Sequence, residues 1–228
     1  MRKGKFIFFR LPSLIVFGLF LLVFCVPSPV LAKMKEIRVW GGTAADHKDG
    51  KGRKWYGAQK DKQDWGGWVK QLPQTASAQG TPLTDDADKL RKKHGYDEEL
   101  FFHVSWAANP ATVKYEFKTG KGVFDVTYMV REHWSPNNRG YDIIIEGDIV
   151  EELYVTPGRS EIDIMTYEGI EVKDGELDFE CIGNPKTGKG DLNPMFSALE
   201  IVPSKLAVDA QKKLTTFWGY IKGQENIN

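Results

Sequence analysis

Three tryptophans stand where the chain turns. Trp65 lies in Asp64-Trp65-Gly66-Gly67-Trp68, Trp106 closes residues 100–106 ahead of Ala107-Ala108-Asn109-Pro110, and Trp134 follows Arg131-Glu132-His133 and precedes Ser135-Pro136-Asn137-Asn138. An indole stacks on the apolar C–H face of a sugar ring, while Asp, Asn and Arg hydrogen-bond the hydroxyl rim. Asn137, Arg139, Asp191 and Asn193, with His133 beside Trp134, supply that polar complement. Taken singly, each indole fits an edge of the core as well as it fits a site. Taken together, indoles in turns mixed with Asn and Asp read as a glycan surface, each ring adding about 1 kcal/mol beyond area burial.

Other chemistry is scarcer. His47, His94, His103 and His133 form no H-x-x-x-H or related metal spacing. Cys181 alternates with Leu177 and Phe179, which puts it on a core face as an inert thiol. No G-x-S-x-G occurs, and the glycine-rich residues 183–190, with Lys186 and Lys189, lack the phosphate-loop pattern. Carboxylates are plentiful, but none is singled out as a catalytic pair, which is weak ground for a glycosidase. Asp46-His47-Lys48-Asp49-Gly50 is oxygen-rich but lacks a full calcium ligand ladder and reads as an ordinary turn. No cofactor is expected beyond a structural calcium of that kind.

The elements that must position these residues begin after a leader. Arg2, Lys3, Lys5 and Arg10 precede an apolar run from Leu11 to Val26, and Pro27-Ser28-Pro29-Val30-Leu31-Ala32 follows. That is a secretory signal peptide over residues 1–32, with Val30 and Ala32 at the −3 and −1 positions and cleavage after Ala32. An uncleaved anchor is the alternative. Phe24 before Cys25 does not suit a lipoprotein signal. Of 228 residues, 31 are basic and 31 acidic. Losing the leader's four basic residues leaves 27 basic against 31 acidic, a net charge of about −4, so no nucleic-acid partner is expected. Only Cys181 remains, so no internal disulfide forms and the export is read as bacterial. No second long apolar run exists, and the mature form is not expected to span a membrane. The destination is secreted, periplasmic or cell-surface.

Within residues 33–203 the pattern is that of strands. Residues 36–40 form the first, closed by Gly41-Gly42. Residues 43–99 read as ordered long loops with short strands, because Trp55, Tyr56, Trp65 and Trp68 argue against a disordered linker. Val113, Tyr115 and Phe117 alternate, as do Phe124, Val126, Tyr128 and Val130, and Thr119-Gly120-Lys121-Gly122 between them reads as a hairpin turn. Strands are also expected over 141–145, 149–155, 162–167, 170–172, 177–181 and 197–202. Glu146-Gly147 and Asp174-Gly175 mark turns, the second a hairpin. The fold class is therefore all-β: an antiparallel β-sandwich with long N-terminal loops. In residues 204–228, Leu206, Ala210, Leu214, Phe217, Trp218 and Ile221 fall near helical spacing, a short C-terminal helix for packing on the sandwich or on a protein partner.

Over residues 36–202 the chain resembles malectin-type carbohydrate-binding domains, which have a galactose-binding-like jelly-roll fold. Ile37-Arg38-Val39-Trp40-Gly41-Gly42 is similar to the family's opening strand and Gly-Gly, and Val126-Thr127-Tyr128-Met129-Val130-Arg131-Glu132 to the strand ending in an acid before the binding loop. Tyr141-Asp142-Ile143-Ile144-Ile145-Glu146-Gly147, Val172-Lys173-Asp174-Gly175-Glu176-Leu177 and Asn193-Pro194 with Ala198-Leu199-Glu200-Ile201 resemble later family elements in order. The resemblance implies non-catalytic glycan binding through loop aromatics and one acid near the last strand. It sets Trp65 and Trp106 at two of the family's tyrosines, and His133 and Trp134 near its central-loop aromatics. Trp for Tyr retains stacking but removes the phenol oxygen. Leu192 stands at the family's acid, with Asp191 one residue early, so its sugar preference does not carry over. A single short glycan should bind at about 10⁻⁴ M. The rival readings are a glycoside hydrolase or lyase on the same sandwich, and a structural or adhesion module binding proteins.

Overall fold

The computed structural model describes residues 33–61 and 63–205. The expected leader, with its cleavage after Ala32, and the expected C-terminal helix lie outside the described residues. Along the chain come β1 (Ile37–Trp40), β2 (His47–Lys48), β3 (Lys54–Gly57), β4 (Gly66–Trp68) and β5 (Gln74–Ser77), then helix α1 (Asp85–His94) and a 3₁₀ turn over Glu98–Phe101. They are followed by β6 (His103–Trp106), β7 (Val113–Phe117), β8 (Gly122–Arg131), β9 (Gly140–Ile145) and β10 (Asp148–Val155). The last are β11 (Ile162–Val172), β12 (Leu177–Gly183), β13 (Met195–Phe196) and β14 (Ala198–Pro203).

These strands build the expected β-sandwich. One sheet runs β11-β8-β14-β1-β3-β2, the facing sheet β10-β9-β12-β7-β4, and a small sheet β13-β6-β5 completes the described strands. Pairing is antiparallel except between β1 and β3. The strand alternation explains the core. Phe124, Val126, Tyr128 and Val130 of one sheet meet Tyr115, Phe117, Ile143, Phe179 and Cys181 of the other, all out of solvent. Burial pushes the Cys181 thiol well up, so it is not a thiolate. The second half of β8 is covered on both faces, because Met129 packs into a second cluster with Trp55, Leu83, Tyr96, Leu100 and Phe101 on the outer side.

Two expected hairpins are corrected. β7 pairs with β12 and β4, whereas β8 pairs with β11 and β14, so the link at residues 118–121 crosses between sheets. Likewise β11 pairs with β8 and β12 with β7 and β9, so the Asp174-Gly175 turn also crosses. The two crossings lie side by side, Gly120 N–H donating to Gly175 O at 2.9 Å. The period-2 pattern marks which face is buried, and strands on opposite sheets bury toward the same interior. Glu146-Gly147 does close a hairpin, β9 to β10, with both residues at positive φ (54° and 82°) as a two-residue turn requires. The strands expected at 162–167 and 170–172 are one strand interrupted by an irregularity at Glu168-Gly169.

Helix α1 is the element that residues 43–99 hid. Thr84 caps it by accepting from Ala87 N–H at 3.3 Å, and Gly95 ends it in the left-handed conformation. Asp85, Asp86 and Asp88 face its N-terminus and Arg91, Lys92 and Lys93 its C-terminus, which suits the helix dipole. The carboxylates of residues 46–50 are held by neighbouring side chains. Asp49 accepts from Trp55 Nε1 at 2.9 Å and Arg53 Nε at 2.6 Å, and Asp46 from Lys60 Nζ at 2.6 Å, so 46–50 is a strand and turn held by ion pairs. Among the described residues no helix is long and apolar enough to cross a membrane.

Candidate functional site

Two of the three indoles come together. Trp106 and Trp134 line one groove of about 180 Å³, with Ala76, Val104 and Met195 as its apolar floor and Arg139 and Asn193 at its edge. Trp134 is 37% exposed and Trp106 partly so. The volume falls below the ~300–1,000 Å³ of drug-sized pockets, which leaves room for about one ring.

The small sheet sets the floor. In it Trp106 lies opposite Gln74 on one side and Met195 on the other. Its placement depends on Gly41-Gly42 at the end of β1. A Cβ on Gly42 would stand 2.5 Å from Val104 O, and the residue holds φ +68°. Gly42 N–H then donates to Ser105 Oγ at 2.9 Å, and Gly41 N–H to Ser197 O at 2.7 Å. Only glycine lets β1 approach β6 this closely. Gly42→Ala is therefore expected to destabilise the fold by at least about 1 kcal/mol, read as a lower denaturant midpoint. From below, the Tyr128 hydroxyl donates to Met195 O at 2.6 Å, and the Tyr141 hydroxyl, 2.6 Å from the Tyr128 oxygen and 3.2 Å from Met195 O, donates into the same pair. Burial holds both phenols protonated, their pKa pushed well up.

The wall is set by one carboxylate. Glu132 is out of solvent, and its Oε1 accepts from the backbone N–H groups of His133, Trp134 and Ser135 at 2.8, 2.7 and 2.8 Å. Its Oε2 takes Arg139 Nε at 3.1 Å. Arg139 Nη1 continues to Asp191, 3.1 Å from Oδ2, and to Asn193 O at 2.9 Å. Asn193 Oδ1 accepts from Asn109 N–H at 2.8 Å, fastening the loop that follows Trp106. Thus Glu132, Arg139, Asp191 and Asn193 join both tryptophan loops through charge-assisted bonds. His133 packs edge-on against Trp134, ring centres 5.5 Å apart. Burial, with Arg131 and Arg159 close by, pulls its imidazole below the usual range, so this ring is uncharged at neutral pH.

The sequence expectations divide accordingly. Trp106, Trp134, Arg139 and Asn193 line the groove, and Asp191 and His133 support it from behind. Asn137 is exposed in the loop, its N–H bonded to Pro157 O at 3.0 Å, and it does not line the groove. Trp65 is a correction: it is 4% exposed, stacked between Tyr56 and Phe117 at 5.9 Å from each. It immediately precedes the edge strand β4, whose Gly66 lies so close to Glu116 O that any Cβ there would clash. Glu132 is the residue that sequence reasoning left without a role, although its place at the end of β8 before an aromatic loop was the available signal. A larger, open trough of about 510 Å³ lies over β4, between Trp68 and Lys70, Lys118, Glu116 and Glu176. Its charged rim favours water, and Trp68 packs on the core.

No family model matches the sequence, and no curated protein matches it. Solved structures do. The ANXUR2 extracellular domain from Arabidopsis thaliana is 15% identical with TM-score 0.60, over 72% of this chain and 47% of that one. The Arabidopsis thaliana ANX1 ectodomain is 13% identical with TM-score 0.59, over 72% and 47%. A Bacteroides uniformis β-glucuronidase is 15% identical with TM-score 0.56, over 74% of this chain and 18% of the enzyme. The chain spans less than half of each ectodomain and under a fifth of the enzyme. At such identities the likeness is one of fold alone.

Proposed function

We propose that the chain is a secreted, non-catalytic carbohydrate-binding module of malectin type, and that it grips a glycan in the Trp106–Trp134 groove. The observation that carries this is the meeting of two indoles, one at the end of β6 and one in the loop after β8, over an apolar floor with Arg139 and Asn193 at the edge. Such a surface offers a stacking face beside polar partners. The extracellular domain of ANXUR2 shares the fold, which supports an extracellular setting. The leader read in residues 1–32 supports it independently.

The acids behind the groove support binding over hydrolysis. Glu132 is spent on three backbone N–H groups and Arg139, and Asp191 pairs with the same guanidinium. Neither is held as a proton donor toward the groove. Release of reducing sugar from mixed polysaccharides, abolished by one Asp or Glu substitution, would overturn this part of the proposal.

A glycan array identifies the ligand, and titration with it tests the groove. Trp134→Ala removes an exposed ring and should weaken binding by about 5- to 10-fold, the loss of one stacking contact, with an unchanged melting temperature. Unchanged affinity would remove Trp134 from the site. An array that stays blank while a protein partner is recovered would replace the glycan reading by the adhesion one.

A further inference from the structure

The groove leaves one chemically distinct cluster unexplained. His47 on β2, Asp97 just before the 3₁₀ turn, and Glu99 within it each offer one ligand atom, all within 4.8 Å of one another. His47 Nε2 is 3.6 Å from Asp97 Oδ2, too long for a hydrogen bond. That nitrogen is shut off from solvent and has no hydrogen-bond partner among the described residues. A buried ring nitrogen left unpaired is costly, and here it faces two carboxylates. The cluster is also braced. Gly50 N–H donates to Asp97 Oδ2 at 2.7 Å, and the Trp40 ring packs on the imidazole at 5.3 Å between centres. The acids on either side of His47 are already committed, Asp46 to Lys60 and Asp49 to Arg53 and Trp55.

We propose that His47, Asp97 and Glu99 form a binding site for a divalent transition-metal ion of the zinc type. One imidazole with two carboxylates is a borderline nitrogen–oxygen set that zinc accepts, and it leaves a fourth position for water. Calcium and magnesium prefer oxygen ligands alone. Tetrahedral zinc ligands stand about 3.3 Å apart. The approach that brings them there falls to Glu99, the exposed member of the three. The ion would clasp β2 to the turn that leads into β6. Since β6 carries Trp106, the clasp steadies the segment that builds the groove floor without touching the groove itself.

The test uses the full chain, stripped with a chelator and titrated with zinc alone. One equivalent should bind with a dissociation constant at or below about 10 μM, and the melting temperature should rise with zinc concentration. Cobalt in place of zinc should give a visible absorption band that zinc displaces. His47→Gln should weaken binding at least about tenfold, and so should Glu99→Gln, whose exposed side chain can be changed without disturbing the fold. The proposal is overturned if zinc binds no tighter than about 1 mM. It is equally overturned if both variants bind as the parent does, or if calcium competes with zinc on equal terms.

Discussion

Replacing Trp65 by alanine is expected to lower the folding free energy by about 3–5 kcal/mol and to leave the glycan affinity of the folded fraction unchanged. The ring is 4% exposed and lies between Tyr56 and Phe117, tilted by 23° and 28°. Its removal opens a cavity between β3, β4 and β7, where backbone pairing prevents collapse: Trp65 O accepts Lys118 N–H at 2.9 Å, and Gly66 and Gly67 pair with Phe117 and Glu116. A loss of that size is a large share of the ~5–15 kcal/mol that holds a domain together. Urea unfolding measures it. Trp65→Phe should cost less, because a ring remains in the stack and the unpartnered indole N–H is gone. A folded Trp65→Ala variant with weakened glycan binding would return Trp65 to the site and refute the division made here between core and groove.

The second large effect belongs to Glu132→Gln. The substitution keeps one acceptor for the loop amides but turns an NH₂ toward Arg139 Nε, setting donor against donor, and leaves a buried guanidinium with only Asp191 as counter-charge. Breaking a buried pair from one side costs about 3–5 kcal/mol. The loop bearing Trp134 loses its anchor in the same step, so glycan affinity should fall at least about tenfold in the protein that remains folded. A double-mutant cycle with Arg139→Met separates the two contributions, since removing both charges should cost less than the sum of the single changes. Additive costs and unaltered affinity would mean that the pair neither couples nor positions the loop.

How much of this was written in the sequence depends on the residue. Strand existence was legible because Val113-Tyr115-Phe117 and Phe124-Val126-Tyr128 alternate along half-buried strands. Strand partners were not, because the glycines at 120, 122 and 175 serve a crossing between sheets as readily as a hairpin. Helix α1 has one buried residue, Ala87, and hence no apolar stripe to announce it; only the Thr84 and Gly95 caps marked its ends. Trp106 and Trp134 could be found as loop aromatics, but so could Trp65, and nothing local distinguishes a ring facing a groove from one stacked on Phe117. That distinction is made by pairing with β7, a partner about fifty residues away in the chain.

The pairing of β1 with β14 gives the domain a direction. Ile37 lies opposite Ile201 and Trp40 opposite Ala198, so the first described strand enters and the last one leaves at the same pole. The Trp106–Trp134 groove lies at the other pole, where Gly42 meets Val104. The two indoles therefore face away from the pole at which β1 begins and β14 ends.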